Sequence, residues 1–217
     1  MKFGVRMTRT MTIQSTETAK GGHILGMSRG KENTASARYL TVTPYEALKW
    51  DAVRKAALEC DRLGYFSAVL PDHIMGEGGP RYEAWTLMAA IAAVTKRVKL
   101  HHLVLANGLR YAPWLAKAAM TLDHVSGGRF MLGIGAGWAK EEFEAYGYGY
   151  PKHRSRIGQL EEALEVIKLL WSGKKVNYNG KYYKLHNAIC NPPPLQKPHP
   201  PIVIGGSSPR ILKVASK

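Results

Sequence analysis

Cysteine is nearly absent from this chain: Cys60 and Cys190 are the only two in 217 residues. Two thiols so far apart give neither a disulfide framework nor the ligand spacing of a metal site, and no metal is expected. Long apolar runs are missing too. No stretch of about eighteen apolar residues occurs, so no hydrophobic membrane helix is expected. The start, Met1-Lys2-Phe3-Gly4-Val5-Arg6, lacks the apolar core and small-residue cleavage site of a secretory signal. A reducing cytoplasm is the expected compartment, with no membrane partner. Acidic residues are scarce, 16 Asp and Glu against 31 Lys and Arg, a formal charge of +15. Such an excess suits a polyanionic ligand. The basic residues are spread, however, without an arginine cluster or aromatic–basic alternation, so no nucleic-acid partner is expected.

What is present fits one globular domain over residues 1–217, with 45% hydrophobic and 22% charged residues. Residues 2–7 alternate weakly and can form a first strand. Residues 8–42 are rich in Thr, Ser, Gly and basic residues and poor in apolar periodicity, which reads as a flexible insertion. Thr43-Pro44-Tyr45-Glu46 then has the order of an N-cap, a first-turn proline and a capping-box acid, opening a helix that stops at Gly64.

From there strands at 65–70, 98–105, 130–134 and 202–204 alternate with helices at 83–95, 113–125 and 156–172. A hairpin is expected at 175–185, turning at Asn179-Gly180, before a proline-rich link at 191–201. The alternation implies a parallel sheet with helices outside it. Spacing alone leaves a doubly wound sheet and a barrel both open.

The densest signal is the run Ser-Gly-Gly-Arg-Phe-Met-Leu-Gly-Ile-Gly-Ala-Gly-Trp at residues 126–138. A short apolar strand ends in alternating Gly133, Gly135 and Gly137, which would let a flat ligand approach the backbone closely. On glycine spacing alone, a tight strand-to-helix turn is the simpler reading. It is not the dinucleotide fingerprint, because the third glycine comes one residue too early.

With Leu122-Asp123 before it and Glu142-Phe143 after it, this run closely resembles the fourth-strand signature of the luciferase-like flavin and deazaflavin oxidoreductases. Pro71-Asp72-His73, Leu109-Arg110-Tyr111-Ala112-Pro113 and Pro200-Pro201-Ile202-Val203-Ile204-Gly205-Gly206 fit the same family in the same order, so the resemblance covers residues 44–217. It implies a (β/α)8 TIM barrel. A complete barrel needs about 250 residues, and only five core strands are counted here. The chain is therefore expected to be a barrel truncated after five strands, either a fragment or a shortened relative. The family's connection after the first strand is much shorter than residues 8–42, so that segment departs from the pattern.

In barrel enzymes the site lies at the carboxyl ends of the strands. That rule selects Asp72 and His73, residues 106–110, residues 135–138 and residues 205–208. It sets aside His101 and His102, inside strand three, as packing residues on the barrel exterior. An imidazole titrates near neutrality, so His73 can exchange a proton as hydride moves; an Asp-His pair can equally cap a helix. The resemblance implies His73 as the proton-transfer residue and Asp72 against the cofactor.

Gly205, Gly206, Ser207 and Ser208 before Pro209 form a helix start that can hold phosphate, the role that the resemblance implies. Ala106 and Asn107 lie near the place where family members often carry a non-prolyl cis peptide behind the ring. Gly135, Gly137 and Trp138 complete the expected cofactor contacts. Trp138 stands where the family's sugar-phosphate dehydrogenases have a catalytic glutamate, so glucose-6-phosphate oxidation is not expected.

The resemblance thus implies an oxidoreductase that transfers hydride between a small organic substrate and coenzyme F-420 (F420, 8-hydroxy-5-deazaflavin). Residues 137–149 and 159–164 look most like the deazaflavin subgroup, and the positive charge suits that coenzyme's polyglutamate tail. An FMN-dependent monooxygenase is the alternative, and a non-catalytic truncated paralogue or gene fragment a third reading. The resemblance also makes a homodimer a natural expectation.

Overall fold

Ser67, Ala68, Val69 and Leu70 are buried without alternation, the pattern of a parallel strand covered on both faces. The computed structural model of the protein describes residues 39–41, 49–75 and 81–216 and contains such a sheet. In chain order the elements are β1 (Tyr39–Thr41), α1 (Trp50–Arg62), β2 (Ser67–Leu70), α2 (Ala84–Val94), β3 (Lys99–His102) and β4 (Leu105–Ala106). They continue with α3 (Ala112–Val125), β5 (Leu132–Gly135), α4 (Lys140–Ala145), α5 (His153–Leu170), β6 (Val176–Asn179), β7 (Lys184–Ala188), β8 (Ile202–Gly205) and α6 (Pro209–Ala215).

β1, β2 and β3 pair in parallel, as do β4, β5 and β8. Strand three is broken between β3 and β4 at the cis peptide Leu103–Val104. The Leu100 N–H donates to the Arg129 carbonyl at 3.1 Å, and the Met131 N–H donates to the Leu100 carbonyl at 2.9 Å. The two short sheets are therefore one parallel wall in chain order. Its outer face buries Leu100, Leu105, Phe130, Leu132 and Ile134 against Met88, Ile91, Leu115, Ala119, Leu160 and Ile167 of the helices.

Several expectations shift. The strand expected at 2–7 lies outside the described residues, and β1, at the end of the 8–42 stretch, flanks β2. The remainder of that stretch also lies outside them. The cap expected at Thr43-Pro44-Tyr45-Glu46 lies outside the described residues; the helix described there runs from Trp50, with Lys49 extended (φ −56°, ψ 140°) and its carbonyl accepting the Ala52 N–H. It ends as expected, with Gly64 at φ +73°. The hairpin loop spans residues 180–183 instead of a two-residue Asn179-Gly180 turn. The Glu162 carboxylate of α5 accepts the amides of Lys181, Tyr182 and Tyr183 at 3.0, 2.8 and 3.3 Å, and the Gly180 N–H donates to the Tyr183 carbonyl at 2.9 Å to close the loop.

Candidate active site

The carboxyl ends of the strands converge on an open cleft of about 430 Å³. Asp72 and His73 follow β2, Ala106 ends β4, Gly135, Gly137 and Trp138 follow from β5, and Gly205, Gly206, Ser207 and Ser208 follow from β8; all of them line it. Asn107 does not. It opens a single 3-10 turn and is buried, its amide donating to the Tyr183 hydroxyl at 3.4 Å behind the cleft.

His73 is fixed from two sides. Its Nδ1 lies 2.7 Å from Glu142 Oε1 of α4, and that carboxylate side chain is 8% exposed. The Trp138 ring meets the imidazole edge-on, with centroids 5.5 Å apart and planes at 78°. Trp138 itself is 74% exposed, so it forms the rim of the cleft rather than core.

Asp72 is engaged by the protein itself. Its two oxygens take both guanidinium nitrogens of Arg110 at 2.5 and 2.7 Å, and Oδ2 also accepts the Ala106 N–H at 2.8 Å. Arg110 continues to Glu83 at 3.0 Å, whose carboxylate caps the Trp85 and Thr86 amides of α2. Asp72 thus ties β2, β4 and α2 together beside the cleft.

The alternating glycines make room for the protein itself. A Cβ on Gly133 would lie 1.7 Å from the His102 carbonyl oxygen. On Gly135 and Gly205 it would lie 2.9 and 2.4 Å from Val104 Cγ2. Gly137, at φ +78°, would drive a Cβ to 2.8 Å from the Phe143 ring. Val104 therefore fills the space above Gly135 and Gly205 and forms the apolar floor. The cis peptide lies at Leu103–Val104, just before Ala106 and Asn107. At the far wall Ser208 caps α6, accepting the Ile211 N–H at 3.4 Å, with Pro209 in the first turn.

Neighbours along a strand face opposite sides, which separates His101 from His102. His102 is exterior and fully buried, stacked on Trp85 at 5.3 Å, with Nε2–H donating to the Ala84 carbonyl at 3.1 Å. Burial pushes its pKa down to about 4. His101 instead turns to the inner face, where its Nε2 lies 3.3 Å from the Ser67 hydroxyl. Burial lifts the Cys60 thiol to about 11, so that cysteine is an inert core residue.

Glu142 was missed as a site residue, and Arg110, within the selected residues 106–110, was given no role. Ala139, Glu142 and Phe143 lie at i, i+3 and i+4 and share the buried face of α4. A carboxylate on an apolar helix face signals a buried partner, which could have flagged Glu142 from sequence. Nothing local in the sequence pairs Arg110 with Asp72. Among the described residues no cluster of His, Cys, Asp and Glu could hold a metal, and no helix is long and apolar enough to cross a membrane.

Residues 26–217 match the profile of a family described as luciferase-like monooxygenase. The FMNH(2)-dependent dimethylsulfone monooxygenase of Pseudomonas putida is 31% identical over 173 residues, 77% of this chain and 46% of that protein. The F420-dependent glucose-6-phosphate dehydrogenase of Amycolatopsis mediterranei is 33% identical over 165 residues, 74% of this chain and 49% of that protein. A solved F420-dependent secondary alcohol dehydrogenase, in complex with an F420-acetone adduct, superimposes with a TM-score of 0.69 at 25% identity. That alignment covers 79% of this chain and 53% of the dehydrogenase. The chain spans about half the length of the curated relatives it matches.

Proposed function

The chain belongs to the luciferase-like monooxygenase family, whose fold is a (β/α)8 TIM barrel, and on that premise we propose that its cleft binds a flavin-type ring. Hydride would pass between that ring and a small organic substrate, with His73 as the proton partner. The observation that carries this reading is the cleft itself. Segments at the ends of four strands meet there, with an imidazole on one wall and no side chains rising from Gly135, Gly137, Gly205 and Gly206.

The residues fit such a ring. Val104 and Ala106 offer an apolar floor, the glycines leave backbone that a flat ligand can approach, and Gly206, Ser207 and Ser208 would hold its phosphate. When bound, the ring supplies hydride acceptance or donation, and the protein orients it and handles the proton. Asp72 acts through Arg110 and the Ala106 amide by keeping the floor in place. Trp138 at the rim would lie against the substrate, and its indole makes glucose 6-phosphate a poor fit.

We favour coenzyme F-420, whose acidic tail suits the +15 charge. FMN is the second reading, favoured by the 31% identity to an FMNH(2)-dependent relative. Two copies would pair. Fluorescence titration of the 217-residue chain with F-420, and separately with FMN, tests the proposal. Saturable binding of one, weakened about tenfold in His73→Ala by loss of roughly one hydrogen bond, supports it and names the cofactor. No binding of either overturns it.

A further inference from the structure

We infer that Glu142 is a positioning residue for His73: its buried carboxylate holds the imidazole as the Nδ1–H tautomer and leaves Nε2 bare toward the cleft. An ionised carboxylate can only accept hydrogen bonds. With Glu142 ionised, the 2.7 Å contact between His73 Nδ1 and Glu142 Oε1 places the proton on Nδ1. In the neutral ring the lone pair then belongs to Nε2, which has no protein partner among the described residues. Free histidine favours the opposite tautomer, so the carboxylate changes which nitrogen can accept a proton.

The rest of α4 is built around this contact. Phe143, beside Glu142, is buried under the cleft. Tyr146, one turn on, donates its hydroxyl to the Ile74 carbonyl at 3.1 Å, directly after His73. The helix thus grips the loop after β2 at two points, and the Trp138 edge limits rotation of the ring between them.

The other charged or titratable groups nearby are engaged or stand apart. Asp72 is closed by Arg110 and the Ala106 amide. Tyr150 donates to the Trp138 carbonyl at 2.9 Å, and His153 lines the cleft from the start of α5. Glu142 is the carboxylate that meets the imidazole. A substrate hydroxyl could then hand its proton to Nε2, and the resulting imidazolium would face the Glu142 charge.

The catalytic meaning rests on His73 being the proton partner, but the tautomer can be read without any cofactor. The experiment is a long-range proton–nitrogen correlation spectrum of the 217-residue chain with ¹⁵N-labelled histidine, recorded where the ring is neutral. The His73 signals are assigned by their loss in His73→Gln. We expect a protonated Nδ1 and a bare Nε2 in the parent protein, reversal in Glu142→Leu, and retention in Glu142→Gln, whose amide oxygen still accepts. A protonated Nε2 in the parent chain overturns the inference whether or not the variants fold, as does an unchanged tautomer in a folded Glu142→Leu. A bare Nε2 in a chain that binds neither F-420 nor FMN would keep the Glu142 assignment and sink the proposed function.

Discussion

The two ends of the strand wall use charge in opposite ways. At the amino end, Arg129 is buried and its guanidinium meets no carboxylate among the described residues. It donates to the carbonyls of Ser126, Val98, Ala92 and Thr95 and to the Thr95 hydroxyl, all at 2.7–3.0 Å. Asp61 accepts the amides of Lys96, Arg97 and Val98 at 3.0, 2.7 and 2.7 Å. Asp123 takes the backbone and side-chain amides of Gln196 at 3.1 and 2.7 Å. Most of these charges satisfy backbone that leaves or enters the sheet.

At the carboxyl end charge meets charge: Asp72 with Arg110, Arg110 with Glu83, Glu142 with His73. His73 Nε2 is left open toward the cleft. The amino end closes every valence it can, which makes it a clamp. The carboxyl end keeps one group in reserve, the division of labour expected of barrel folds.

Removing the clamp should have the largest effect. Arg129→Met strands several buried carbonyls, and we expect a loss of about 3–5 kcal/mol in urea unfolding. A loss below about 1 kcal/mol would break the contrast between the two ends.

Acid should act next, through His102, which belongs to neither network. Unfolded, a histidine gains its proton near pH 6.5, whereas burial holds His102 neutral down to about 4. The unfolded chain then binds the extra proton between these values, so stability falls as pH drops from 6.5 to 4, by about 3 kcal/mol at most. Unfolding midpoints of the parent and of His102→Leu should converge as pH falls through this window. Parallel pH profiles would show that His102 is not the group responsible.

The smallest effect on stability belongs to the reserve group. Glu142→Gln keeps a hydrogen bond to a ring that is 23% exposed, so it should cost less than about 1 kcal/mol. A loss as large as that of Arg129→Met would make the site end a second clamp.

Much of this was legible before any coordinates. The Gly64 stop, the first-turn prolines at 113 and 209, and the apolar run at 130–134 each follow from local chemistry. Of the eleven expected cofactor contacts ten line the cleft, while Asn107 turns inward to Tyr183, and Gly108, Leu109 and Arg110, selected by the same strand-end rule, do not line it. What escaped was contact between distant residues. The chain separation of His73 and Glu142, or of Asp72 and Arg110, carries no periodicity. The break between β3 and β4 has no composition mark, and the hairpin loop is set by Glu162 on another element.

Val104 has a consequence for how such a sequence can drift. Its branched side chain rests where residues 135 and 205 would otherwise carry a Cβ, so three positions, one in the break between β3 and β4 and one each on β5 and β8, share one volume. None can change freely. An alanine at 205 calls for a smaller residue at 104, and Gly205→Ala should be tolerated better with Val104→Ala than alone. Across descendants of this chain, the three sites should therefore vary as a single unit.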